Sequence, residues 1–140
     1  FPKSITLKDG DGFLPFHQAC LVEHPRIATV KMLFNRFPAA IHTPANDGRL
    51  VIQIVCSRPR WRGAPEVLHF LVCQLPYTSC LQDAEGRYPL HCFCQQMWNT
   101  REAAKMFVKL HELNPDAISH ESGEFGLPIH CACANSCGLE

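Results

Sequence analysis

A seven-residue phrase recurs four times along this chain, and it limits the possible folds more than any other feature. It reads Leu14-Pro15-Phe16-His17-Gln18-Ala19-Cys20, then Leu50-Val51-Ile52-Gln53-Ile54-Val55-Cys56. It returns as Tyr88-Pro89-Leu90-His91-Cys92-Phe93-Cys94 and as Leu127-Pro128-Ile129-His130-Cys131-Ala132-Cys133. Successive closing cysteines stand 36, 38 and 39 residues apart. Recurrence at a period of about 20–50 residues marks stacked units, each too small to bury its own apolar face. Such arrays usually present a surface to a partner rather than an active site.

The flanking sequence keeps the same rhythm. Phe1-Pro2-Lys3-Ser4-Ile5 leads into Asp11-Gly12, and Phe37-Pro38-Ala39-Ala40-Ile41 leads into Asp47-Gly48 in the same layout. Leu75-Pro76 precedes Glu85-Gly86, and Asn114-Pro115-Asp116-Ala117-Ile118 precedes Glu124-Phe125-Gly126, with the glycine slipped by one residue. Between the phrases lie amphipathic stretches. Val30, Leu33, Phe34 and Phe37 follow i, i+3, i+4, i+7 spacing. Val67, Phe70, Leu71 and Gln74 keep most of it, with Leu68, Val72 and Leu75 widening the apolar face. Ala103, Met106, Phe107 and Leu110 repeat it again. Pro38, Pro76 and Pro115 then stop each helix, because proline lacks the N–H and clashes with the preceding turn. Asn46-Asp47-Gly48 and Asp83-Ala84-Glu85-Gly86 read as turns. The phrase itself reads as a shorter helix, with proline at its first position, where the missing N–H costs nothing.

Each unit is therefore predicted as turn, short helix, loop, longer helix, proline stop and extended loop. The fold class is all-α: one helical-repeat array of three full helix-pair units with partial units at both ends. Residues 1–10 read as the tail of a preceding unit, 11–46, 47–84 and 85–122 as units one to three, and 123–140 as a truncated fourth. Stacked arrays need polar caps. The expectation is an excerpt of a longer protein, or ends covered by neighbours, and an isolated chain that aggregates or unfolds easily.

Composition narrows the function. The 13 basic and 13 acidic side chains cancel, which argues against a general electrostatic role on nucleic acid or anionic membrane. A hydrophobic content of 46% suits a packed core. No apolar run reaches the roughly 18–20 residues of a membrane span; the stretch Val67–Leu75 is broken by His69 and Gln74. The nine cysteines are odd in number and mostly sit in or beside the phrase. At a repeated packing position a thiol acts as a small hydrophobe. The expectation is thus an intracellular, reducing compartment, with the cytoplasm favoured and an organelle left open, rather than a secreted disulfide framework.

The segments Pro-Phe-His-x-Ala-Cys, Pro-Leu-His-x-Phe-Cys and Pro-Ile-His-x-Ala-Cys resemble the Pro-Leu-His-x-Ala core of ankyrin repeats. Asp-Gly or Glu-Gly upstream resembles the turn that enters each ankyrin unit. The resemblance covers essentially the whole chain, as a divergent, long-period variety. The usual period is about 33. The threonine that commonly precedes the proline is Leu14, Leu50, Tyr88 or Leu127 here, which removes a hydroxyl cap from the helix start. The second copy carries Val51 and Gln53 in place of proline and histidine. The resemblance implies a non-enzymatic protein–protein interaction scaffold. In it the histidines tie neighbouring turns by hydrogen bonds, the closing cysteines face the core, and the turn residues Asp11, Asp47, Arg49, Glu85, Arg87 and Glu124 meet a protein partner. A peripheral subunit of a large assembly and a recognition segment of a larger enzyme are the alternatives.

Three sharper chemistries compete with this reading. His91-x-x-Cys94 with Cys92, and His130-x-x-Cys133 with Cys131, offer ligand types for zinc, but at no standard template spacing. Cysteine–histidine pairs could be nucleophiles, yet a cysteine-rich chain offers them by chance, and no orienting acid or oxyanion loop accompanies them. No catalytic, cofactor or metal residue is therefore assigned. Arg58-Pro59-Arg60-Trp61-Arg62 is the one local charge cluster. Arginines interleaved with an aromatic residue can grip phosphate or an acidic groove, and the loop is long for a helix connection. Arg58, Arg60, Trp61 and Arg62 are the best local candidates for a partner contact. Trp98, in the equivalent loop of the next unit, reads as packing.

Overall fold

The computed structural model describes residues 3–58, 63–96 and 100–136. Among them there are seven α-helices and no strand; one isolated bridge joins Ser122 and Gly126. The helices are α1 (Pro15–Leu21), α2 (Ile27–Arg36), α3 (Val51–Cys56), α4 (Ala64–Gln74), α5 (Pro89–Cys94), α6 (Arg101–Leu113) and α7 (Pro128–Ser136). The recurring phrase supplies the short odd-numbered helices, and the amphipathic stretches supply the longer even-numbered ones.

Helix starts and stops follow local chemistry. Pro15 and Pro89 open α1 and α5, where a fixed φ near about −65° suits the first turn. The longer helices end just before Pro38, Pro76 and Pro115, as expected. The segment beyond each proline is not extended loop, however. Each proline starts a five-residue 3₁₀ helix, at Pro38–His42, Pro76–Cys80 and Pro115–Ser119. The residue before proline is pushed out of the α region, and Phe37, Leu75 and Asn114 adopt nearly one conformation, with φ/ψ of −145/76°, −137/81° and −144/77°. Proline's fixed φ then feeds the tighter coil directly.

The helices pair as α1 with α2, α3 with α4, and α5 with α6. The odd-numbered helices touch in order, α1 to α3 to α5 to α7, and the even-numbered ones likewise, α2 to α4 to α6. The 3₁₀ helix at Pro38–His42 contacts both α1 and α3, so it wedges between successive pairs. One continuous core results. Leu14, Phe16, Ile52, Ile54, Leu68, Leu71, Leu90 and Leu110 are all fully buried, each contributing about 1.5–3 kcal/mol of transfer free energy. Phe16 packs on Phe34 at 6.2 Å, and Phe34 meets Phe70 edge to face at 5.5 Å, linking the first pair to the second.

Among the described residues no helix is long and apolar enough to cross a membrane.

Candidate functional site

Each odd-numbered helix is entered through a turn built to one plan. The N–H groups of Asp9, Ala45, Asp83 and Ser122 donate to the carbonyls of Phe13, Arg49, Arg87 and Gly126, all at 3.0 Å. Gly12, Gly48 and Gly86 sit in the left-handed region at φ 82°, 78° and 74°, which a side chain would strain. Asp9 and Asp83 add a carboxylate: one oxygen of Asp83 accepts the N–H groups of Glu85 and Arg87, both at 2.9 Å. Asp9 does the same for Asp11 and Phe13, and the Phe13 N–H, then the Gln18 amide, hold its carboxyl below the usual range. Ala45 cannot do this, and Asp47 instead accepts the Arg49 N–H at 3.0 Å.

The residue at the third helical position locks the turn to its helix. Nδ1 of His17 accepts the Leu14 N–H at 2.9 Å, and Nδ1 of His91 and of His130 accept the N–H groups of Tyr88 and Leu127 at 3.2 Å. This is the backward half of a capping box. The forward half, which a hydroxyl would supply, is absent; in α5 and α7 the N–H groups of His91 and His130 donate instead to the carbonyls of Tyr88 and Leu127, both at 2.9 Å. Gln53, which departs from the phrase, keeps the role: its Oε1 accepts the Leu50 N–H at 2.7 Å. Its Nε2 donates onward to the carbonyls of Leu81 and Arg87, at 3.0 and 3.3 Å. His91 Nε2 reaches the His120 carbonyl at 2.9 Å in the same way. Since Nδ1 accepts, the proton of each ring belongs on Nε2. His17 Nε2 faces the Thr43 and Ala40 carbonyls without closing a hydrogen bond. Burial holds both His17 and His91 below the ordinary histidine range; at His91 it outweighs the bond to the His120 carbonyl.

The turns place the candidate partner residues. Arg49 Nε meets Asp47 Oδ2 at 2.8 Å, and its Nη2 lies 2.7 Å from the same oxygen. Against the upward pull of burial, this arginine holds the Asp47 carboxyl below its usual range. Arg87 stands one turn further on, its Nε 2.9 Å from Asp83 Oδ2 and its Nη2 3.0 Å from Glu85 Oε2. The Phe125 ring lies 4.8 Å from the Arg87 guanidinium carbon, in a cation–π stack. Phe125 can stand there because the fourth turn is slipped: its glycine is Gly126, at φ 66°, so Phe125 occupies the place that Gly86 has in the turn before. Asp47, Arg49, Asp83, Glu85, Arg87 and Phe125 together line one concavity of ≈ 310 Å³.

Four of the residues expected to meet a partner, Asp47, Arg49, Glu85 and Arg87, are thus brought together. Asp11 lies apart on the first turn, where its carbonyl accepts the Asn46 N–H at 3.2 Å. Glu124 lines a neighbouring hollow with Gln95, Gln96 and His130. Arg58 is exposed just past the end of α3, its N–H donating to the Val55 carbonyl at 3.2 Å. Arg60, Trp61, Arg62 and Trp98 lie outside the described residues. Asp83 and Phe125 were not singled out from the sequence. The Asp-x-x-Gly spacing and the slipped glycine were the available signals.

The thiols divide differently from expectation. Cys20 and Cys56 are fully buried, as a closing position facing the core requires. Cys133 is exposed and Cys94 is half-buried, while Cys92 and Cys131, two residues earlier, are buried. Burial pushes Cys92 and Cys94 up to about 12 and Cys56 far above the free-thiol range, which disfavours the thiolate at all three. Cys73 is exposed on α4 with its Sγ 3.7 Å from His69 Nε2. Among the described residues no three His, Cys, Asp or Glu side chains are grouped to hold a metal ion.

No protein-family model matches this chain, and no curated protein matches it either.

Proposed function

We propose that the chain is a non-enzymatic protein-binding scaffold of ankyrin-like repeats, and that its turn edge around Arg49, Arg87 and Phe125 receives the partner. One observation carries this reading: three successive turns contribute side chains to a single concavity, with both arginines already held in place by carboxylates. A guanidinium fixed in advance loses little rotamer freedom on binding. The aromatic and arginine content matches the residue types that dominate interface hot spots. The recurring turn and helix-pair geometry supports the repeat-stack reading behind it.

The test is affinity capture and cross-linking of the partner in parent and variant proteins. Arg49→Ala, Arg87→Ala and Phe125→Ala, combined, are expected to lose a partner that Lys31→Ala on α2 retains. Equal capture by both variants would sink the assignment of this edge. A second reading, a permanent subunit of a larger assembly, draws on the exposed apolar side chains Met32, Val108 and Ile129. It requires a contact of more than roughly 2,000 Å², which a structure of the captured complex would measure.

A further inference from the structure

We propose that His69 and Cys73 form a two-ligand site for a tetrahedral divalent cation of the zinc type on the exposed face of α4, with water at the remaining positions. The two donors are i and i+4 on this helix, neighbours one turn apart on one face. Both are exposed. Val67, Leu68, Leu71 and Val72 of the same helix are 0 or 1% exposed, so the core fixes the backbone that carries the donors. The pair opens onto a hollow of ≈ 420 Å³ between α2 and α4, which Phe34 and Phe70 also line. Lys31 of α2 and Glu66 of α4 are the charged side chains of this hollow, and they cancel. Donor chemistry, rather than net charge, therefore selects what binds there. None of these residues lines the turn-edge concavity, and the inference is independent of the scaffold reading.

The bite of the pair matches one coordination geometry. His69 Nε2 and Cys73 Sγ lie 3.7 Å apart. With Zn–S about 2.3 Å and Zn–N about 2.1 Å, a tetrahedral ion sets its sulfur and nitrogen about 3.6 Å apart. The same bonds give about 3.1 Å across an octahedral right angle and about 4.4 Å across a linear ion. Imidazole with thiolate is a donor set for zinc, whereas magnesium and calcium take oxygen. On binding, the cation takes the place of the hydrogen bond between the two side chains. Cys73 releases its thiol proton to solvent, His69 Nε2 gives its lone pair, and the ring proton sits on Nδ1. Among the described residues no third His, Cys, Asp or Glu side chain is grouped with the pair, so water fills the other two positions.

The experiment titrates zinc chloride into the reduced 140-residue protein in competition with a zinc-responsive dye. Binding of one zinc ion per monomer is expected, reversed by EDTA. Cys73→Ser and His69→Ala should each weaken it by at least about tenfold, with thermal melts like the parent's because both side chains are exposed. Cys133→Ser should bind zinc as the parent does. Bound zinc should slow the reaction of Cys73 with iodoacetamide and leave Cys80 and Cys133 as they were. Cobalt(II) in place of zinc should give a thiolate charge-transfer band that Cys73→Ser lacks. No binding, binding indifferent to Cys73→Ser or to His69→Ala, or protection of Cys133 instead of Cys73 overturns the site and leaves the pair a hydrogen bond. One zinc ion per two chains, with dimers that form only in zinc, overturns the water-completed site.

Discussion

His91 shows how much one buried side chain can organise. Its Nδ1 accepts the Tyr88 N–H, its Nε2 donates to the His120 carbonyl, and its ring stacks near Tyr88 and His120, at 6.0 and 5.8 Å. His91→Ala removes a cap and a cross-link together, and should cost about 1–3 kcal/mol in urea unfolding. His91→Gln should cost less than half as much, because Gln53 already performs both tasks one helix pair earlier. Equal losses for the two variants would show that ring packing rather than hydrogen bonding matters there. Protonation attacks the same arrangement. Burial depresses the folded-state pKa of His17 and His91, so the unfolded chain takes up protons first as pH falls. Their contribution is therefore complete above the unfolded pKa near about 6.5 and is lost progressively below it. The urea midpoint should fall between about pH 7.5 and about pH 5.5, either side of that value, and the fall should shrink in the double variant His17→Gln, His91→Gln. The family resemblance implied a hydrogen-bonding role for the phrase's histidines, and His91 does bond both the Tyr88 N–H and the His120 carbonyl. That Gln53 substitutes for them was not legible, since the equivalence lies in where an acceptor atom and a donor atom reach, not in residue type.

At the scale of one element, the turns separate backbone strain from crowding. Gly86 has φ 74° and open space where a Cβ would stand, whereas a Cβ on Gly12 would lie 2.6 Å from the Asn46 backbone nitrogen. Gly86→Ala should therefore cost only the left-handed penalty of about 1–2 kcal/mol. Gly12→Ala should cost clearly more, because the second turn must also shift. Thermal melts of both variants decide the point, and an equal cost would mean that the Asn46 side yields freely. Helix positions could be read from apolar spacing and proline, because both act within a few residues. The 3₁₀ helices after Pro38, Pro76 and Pro115 escaped that reading. A proline that ends one helix fits the first turn of the next coil equally well, and only the wedge between α1 and α3, or its counterparts, favours the tighter form.

For the molecule as a whole, thiol accessibility reports on the stack. In the folded protein Cys73, Cys80 and Cys133 should react with iodoacetamide first, while Cys20 and Cys56 should wait for unfolding. Mass spectrometry of a labelling time course reads the order; early labelling of Cys56 would mean that successive pairs separate readily in solution. Core truncation gives the complementary readout: Leu68→Ala, at a fully buried position of α4, should lower stability by about 2–5 kcal/mol. The sequence by itself determined the all-helical class, the places of the long and short helices and the turns that join them, because periodicity, proline and glycine act locally. Only the tertiary structure decided that Asp83 and Phe125 join Arg49 and Arg87 in one concavity, and that Cys92 is buried while Cys133 is exposed. Each of those depends on the offset between consecutive helix pairs. That offset is set by packing between residues some 36–39 positions apart, which no local pattern encodes.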